Sequence, residues 1–319
     1  MLYNYFKIAF RNLLKHKTFS IINALGLSLG MACCFLILLF LKHEFSYDEF
    51  HQKADRLYRL NYGVDFAGEG LVIASCPPPI TPLLIDNFPE VEKAARMYRR
   101  QMSVSTKDES GNALNKFEVR NQYFADSTIL DLMTFDFLQG NPNTALDVPS
   151  SVIITDEMAI QFFGSTDALG KTLFLEDVYP FSVTGVVRKF PETSHLQFNM
   201  ISPYTDMFNT APEQSRTPMR QNLNSNWVIS HSYTYVLLKE GANPENVDKA
   251  FPEFLNKFGN PQVRDGQTFT LIPVQDIHLK STAGGEPTPT ANLRFLYIFL
   301  AIGFITLLIA SINFVNFFY

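Results

Sequence analysis

Two uncharged apolar runs, one near each end of the chain, constrain the fold more than any other feature. Phe19 to Leu41, FSIINALGLSLGMACCFLILLFL, is 23 residues without a charge. As a helix it spans roughly 34 Å, enough to cross a hydrocarbon core of about 30 Å. Phe295 to Tyr319, FLYIFLAIGFITLLIASINFVNFFY, is likewise uncharged. Both read as transmembrane helices. The first is longer than the apolar core of a cleavable leader, and no small-x-small cleavage site precedes Lys42 to Glu44, so it reads as an uncleaved anchor.

Lys7, Arg11, Lys15 and Lys17 precede the first run, whereas Lys42 is followed by Glu44, Asp48 and Glu49. This asymmetry predicts a cytoplasmic N-terminus in the inner membrane and an extracytoplasmic, periplasmic stretch over residues 42–293. Residues 1–17 are expected to form a cytoplasmic amphipathic helix, with Leu2, Phe6, Phe10 and Leu13 on one side. Lys7, Arg11 and Lys15 line the other and face anionic membrane lipid; a plain topogenic leader is the alternative. Spans are expected over 18–41 and 294–319. Gly26 and Gly30 form a GxxxG beside a face of Ala24, Ser28 and Ala32, small enough for close helix packing. Asn23, Asn313 and Asn316 lie at matched depth, either hydrogen-bonded between helices or hydrated at the interface.

The net charge is -5, so the chain offers no basic surface for nucleic acid. Cys33 and Cys34 fall within the first run, leaving Cys76 alone in the exported part. No intrachain disulfide holds that part together, and its core has to be self-sufficient.

Between the runs the pattern is that of an α+β fold. Leu57 to Val64 reads as a strand, Ile80 to Phe88 as a helix and Val91 to Arg100 as a strand. Ser232 to Glu240, Asn243 to Phe258 and Thr268 to Gln275 repeat the strand, helix, strand order, the helix opening on a capping Asn. The two units are expected to pair as a split, porter-like lobe (42–100 and 231–280), with a second lobe (101–230) inserted between them. Pro203 to Asn226 reads as an exposed loop, and Lys280 to Asn292 as a polar linker back to the membrane.

Candidate chemistry is sparse. FGSTDALGKTLFLE (Phe163 to Glu176) ends a phosphate-loop pattern in GKT, but five residues separate Gly164 from Gly170, and the segment runs from helix to strand instead of strand to helix. It reads as a glycine turn. The six histidines show no i, i+4 ligand pairing, so no metal site and no cofactor are expected. Ser194-His195 has no evident third partner for hydrolysis and is read as shaping a loop with Glu192. Arg99 and Arg100 beside aromatics suit either a binding patch or an exposed strand end. No catalytic residue is assigned, and the chain is not expected to be an enzyme.

With these residues in view, the chain resembles the permease subunits of MacB/FtsX-class ABC transporters. KIAFRNLLKHKTFSIINALGLSLGMACCFLILLFLKHEFSYDEFH resembles the family's opening helix and first span. ITDEMAIQFFGSTDALGKTLFLEDVYPFSVTGVVRKFPETSHLQF resembles its outer-domain stretch, and LAIGFITLLIASINFVN its second span. The resemblance implies a permease, paired as a homo- or heterodimer, that couples ATP hydrolysis on a separate cytoplasmic ATPase to motion of its outer domain. It implies export or extraction of peptides, antibiotics or lipoproteins, with the ATP site on the partner. Members carry at least four spans with the ATPase-coupling loop after the second, whereas this chain stops at Tyr319. A fragment or truncated product is therefore expected, or a chain that does not grip an ATPase alone. A two-span ligand-sensing input module and a membrane-anchored scaffold are the rival classes.

Overall fold

The computed structural model describes residues 11, 15, 17–66 and 68–315. It divides into two units, Met1–Ser46 with Ala291–Tyr319, whose described residues hold a helix pair, and a sheet unit, Tyr47–Thr290. Among the described residues the first full element is α1 (Lys17–Phe45). The sheet unit then follows the order β1 (Leu57–Phe66), β2 (Glu69–Ile73), α2 (Ile80–Asn87), β3 (Val91–Lys107), β4 (Ala113–Ala125), α3 (Ile129–Leu132), β5 (Phe137–Gly140) and β6 (Ser151–Thr155). It continues through α4 (Asp156–Phe163), β7 (Thr172–Leu175), β8 (Tyr179–Val187), β9 (Met200–Pro203), α5 (Asp206–Asn209), α6 (Glu213–Ser225) and β10 (Tyr233–Leu238). It closes with α7 (Pro244–Phe258), β11 (Gln267–Pro273) and α8 (Val274–Lys280), after which the chain enters α9 (Leu293–Val315).

The strands form one mixed sheet in the order β11-β1-β10-β3-β4-β9-β6-β8-β5, with β2 on β1 and β7 bridging β3 and β8. The two strand, helix, strand units interleave: β1 lies between β11 and β10, and β10 lies between β1 and β3. All of these pairs are antiparallel. This is the split arrangement that the period-2 strands and the capped helix point to. In α7, Asn243 accepts from the Glu245 amide and Pro244 occupies the first turn, where its missing N–H costs nothing.

Apolar alternation determines where the cores lie. On one face of the split sheet, α2 and α7 bury Ile80, Leu84, Phe88, Phe251 and Phe254 against Leu60 and Tyr62. On the opposite face, Met97, Tyr123 and Tyr235 meet Phe190, Leu196, Val274 and Ile277. A third core, within the insert, joins Val152, Ile154, Met158, Phe162, Leu173 and Phe181. Strands β3 and β4 run continuously from the split region into the insert, with an irregularity between Arg100 and Met102.

The GKT segment turns from helix into strand. Gly164 ends α4 at φ 74°, Gly170 adopts φ 77°, and the Gly170 amide donates to the Val183 carbonyl at 2.8 Å. That amide is committed to the sheet, not free for a phosphate.

Two expectations are corrected. The passage 203–226 holds α5 and α6 instead of an exposed loop. Helix α6 is polar on nearly every side, with Leu223 as its buried residue, so it carries no apolar period to betray it. The stretch 280–292 is no free linker. It forms a strap over the sheet, with the Gly284 amide donating to the Val72 carbonyl at 2.9 Å and the Ala74 amide to the Gly284 carbonyl at 3.0 Å.

Within the helix pair, α1 and α9 pack together through small residues. A Cβ built on Gly30 would lie 2.7 Å from the Ala310 Cβ, and one on Gly303 would lie 3.4 Å from Ile37. Phe40 meets Phe299 edge to face at 5.6 Å. The hydroxyls of Thr306 and Ser311 donate to carbonyls one turn earlier, which satisfies them without water. Both helices are long and apolar enough to cross a membrane.

Candidate functional site

The chain comes into the sheet unit at Tyr47 and leaves it at Thr290. The segments beside both points converge on one buried polar cluster. Asp48 adopts φ 59°, a left-handed conformation that Asp tolerates better than most residues. Its amide donates to the Thr193 carbonyl at 2.8 Å. Its carboxylate accepts from the Ser194 hydroxyl at 3.0 Å and the His195 amide at 3.2 Å, and it lies 2.8 Å from His195 Nδ1. The far nitrogen of that ring, Nε2, meets the Tyr235 hydroxyl at 2.9 Å, tying the loop to β10. Thr288, three residues before the helix pair resumes, donates its hydroxyl to the His195 carbonyl at 2.9 Å. His195 is thus the meeting point of the incoming segment, the outgoing segment and the central sheet.

Burial would push the Asp48 carboxyl up, but the charge and hydrogen bonds of His195, with His51 beside it, hold it below its usual value. His51 accepts the Thr134 amide on Nδ1 at 3.1 Å, and its Nε2 stands 3.8 Å from Asp48. Burial pushes this imidazole down to about 4, against the pull of Asp48 and with the repulsion of His195. His51 is therefore neutral at pH 7.

A second lock holds the strap. Arg59 projects from β1 with its side chain fully buried and forms a two-pronged pair with Glu286, one prong at 2.7 Å. Asn61 accepts from the same guanidinium at 2.8 Å, and Ser281 donates to Glu286. Tyr233 donates to the Gly285 carbonyl at 2.8 Å. A guanidinium with all these partners is the form in which a buried cation is tolerated.

Chemically the first cluster is not a hydrolytic triad, although it contains Ser, His and Asp. In such a triad the hydroxyl bonds to the imidazole, whereas here the Ser194 hydroxyl donates to the carboxylate and His195 Nε2 is taken by a phenol. Asp48 is 0% and Ser194 1% exposed, so no substrate reaches them. The arrangement ties both connecting segments to the sheet unit, the incoming one through Asp48 and the outgoing one through Glu286 and Thr288.

The residues singled out from the sequence have the following places. Gly30 is buried at the contact of α1 with α9, whereas a Cβ on Gly26 would have nothing within 4 Å. Asn23 is half-buried, seven residues before Gly30 and so on the same side of α1. Asn313 lies in the last turn of α9, and Asn316 and Lys7 lie outside the described residues, as does most of the stretch 1–17. Arg11 and Lys15 are exposed. Among the described residues, no three His, Cys, Asp or Glu side chains are grouped to hold a metal.

Asp48, His51, Arg59 and Glu286 were not singled out by sequence. Arg59 and Asn61 fall on the polar register of β1, so alternation alone reads them as solvent-facing, although both are buried.

The chain is similar to the family described as MacB-like periplasmic core domain, whose match covers residues 20–254. Among solved structures, a domain from a Porphyromonas gingivalis protein described as a permease shares 22% identity with a TM-score of 0.58, covering 71% of this chain and 92% of that one. The periplasmic region of MacB from Actinobacillus actinomycetemcomitans shares 16% identity, TM-score 0.48, over 70% and 91% of the two chains. The extracellular domain of the noncanonic ABC-type transporter YknZ from Gram-positive bacteria shares 17%, TM-score 0.45, over 68% and 99%. A search of curated protein sequences returns no match.

Proposed function

The chain belongs to the MacB-like periplasmic core domain family, and on that premise we propose that it serves as a permease subunit of an ABC-type exporter. In this reading α1 and α9 span the inner membrane, the N-terminus is cytoplasmic, and residues 42–293 lie in the periplasm. A separate cytoplasmic ATPase supplies the energy, and two permease subunits work as a dimer. Movement of the spans displaces the sheet unit, which expels or extracts a peptide, antibiotic or lipoprotein without passing it through the bilayer. Lys7, Arg11 and Lys15 hold anionic lipid at the cytoplasmic face, while Asn23, Asn313 and Asn316 contribute polar contacts to the spans.

The observation that supports this reading is the convergence on His195. Asp48, just after the first span, and Thr288, just before the second, both bond to one loop that is itself bonded to Tyr235 of the sheet. A part that transmits displacement needs both of its connections fixed in this way.

The test is purification from native membranes in mild detergent, with the protein expressed from its full reading frame. Co-purification of a Walker-type ATPase is the expected result. Its repeated absence, together with protease resistance of the 42–293 stretch in intact spheroplasts, contradicts the exporter reading.

A further inference from the structure

A cavity of about 400 Å³ opens where β3 and β4 depart from regular pairing, lined by Ser75, Arg99, Gln101, Arg120, His231 and Tyr233. Such irregularities turn side chains out of the regular alternation and recur beside binding sites. The lining contains two cations and no carboxylate.

Elsewhere in the sheet unit, Arg56, Arg59, Arg96 and Arg188 each face an acidic partner. Among the described residues, Arg99 and Arg120 form no ion pair, a state they share with Arg100, Arg216 and Arg220, but these two line the cavity. Arg99 instead donates to two backbone carbonyls at long range, those of Arg120 at 3.4 Å and Pro287 at 3.3 Å. His231 stacks on Tyr98 at 4.0 Å, and burial with the nearby Arg96 charge pushes it down to about 4, so it stays neutral. The cavity's positive charge therefore comes from two guanidinium groups, whose planar forks match the oxygens of phosphate and carboxylate groups.

We infer that this cavity binds a small oxyanion, a phosphate or carboxylate group, through Arg99 and Arg120. Pro287 lies in the strap between Glu286 and Thr288, so an anion that takes the Arg99 donors competes with a strap contact. Occupancy and strap position are thereby linked. Binding itself does not depend on the exporter reading, since it is measured without an ATPase.

The test uses the full chain in non-ionic maltoside micelles, titrated by calorimetry with inorganic phosphate and, separately, with glycylglycine, each against chloride at equal ionic strength. A third arm uses phosphatidylcholine nanodiscs with and without phosphatidic acid, to separate a lipid headgroup from a free solute. Saturable binding with a Kd of about 1 mM or tighter is expected in at least one arm. Arg99→Gln and Arg120→Gln should each weaken it about ten-fold, while Arg188→Gln, outside the cavity, leaves it unchanged. Should a variant fold poorly by circular dichroism, phenylglyoxal labelling of the unaltered protein decides. The bound anion should protect Arg99 and Arg120 but not Arg188. Absence of saturable binding in every arm, unaltered affinity in a protein carrying both Arg99→Gln and Arg120→Gln, or labelling indifferent to the anion each overturns the inference.

Discussion

Asp48 and His195 are 147 residues apart in sequence, yet the carboxylate receives the His195 amide and lies 2.8 Å from the His195 ring nitrogen, with both side chains buried. Removing one member of such a pair leaves the other without its compensation, which costs about 3–5 kcal/mol. Asn is the informative replacement, because it keeps the shape and also tolerates the positive φ. Asp48→Asn is therefore expected to lower the melting temperature on the order of 10 °C for a unit of this size. Differential scanning calorimetry checks this. A shift below a degree or two means the pair contributes nothing.

Acid should weaken the fold in two stages. His51 and His231 have folded values of about 4 against an ordinary 6.5, so between those limits the unfolded chain binds protons that the folded chain refuses. Stability consequently falls as pH drops through that window and levels below it, each histidine contributing on the order of 3 kcal/mol. Asp48 acts later. Its lowered value means its contribution is present above the ordinary carboxyl range and is lost as pH falls through the folded value. Urea melts from pH 7.5 to 4.5 should show the first decline, flattened in the His51→Gln, His231→Gln double variant. An unchanged slope in that variant argues against the assignment.

The Arg59–Glu286 lock predicts non-additivity. Glu286→Gln strands a fully buried guanidinium and should cost about 3–5 kcal/mol, as should Arg59→Met, which strands the acid. The Arg59→Met, Glu286→Gln pair removes both charges and should cost less than the sum of the singles. Chemical denaturation of the four species completes the cycle, and simple additivity refutes a direct pair.

In the helix pair, Gly30→Leu should reduce stability in detergent, because the Ala310 side chain already occupies the space a Cβ needs. Gly26→Leu has open space and should be tolerated. Equal effects of the two substitutions on melting in maltoside contradict the observed contact face.

Much of this architecture could be read from local pattern. Charge-free runs announce α1 and α9, and the alternation in Tyr233 to Leu238 with the Asn243 cap announces the split units. The site was harder to read because its partners are distant in sequence. Glu286 sits in a Gly- and Pro-rich stretch whose polarity suggests a linker, and its reason for being polar is an arginine 227 positions away. Asp48 counts in the sequence only as one of the acidic residues behind the first apolar run, whereas α1 ends at Phe45 and the turn at residues 46–50 carries it to His195. Ser194-His195 stands out by itself, but its partner Asp48 lies too far upstream for spacing to reveal it.

The segments joining the sheet unit to both apolar helices are fixed parts of that unit. Native-state hydrogen exchange of the full chain, read at Asp48, Ala74, His195 and Gly284, tests it most directly. These amides should exchange as slowly as the sheet core around Tyr235, and Asp48→Asn should accelerate them together. Fast, independent exchange at Asp48 and Gly284 while the core stays protected contradicts it.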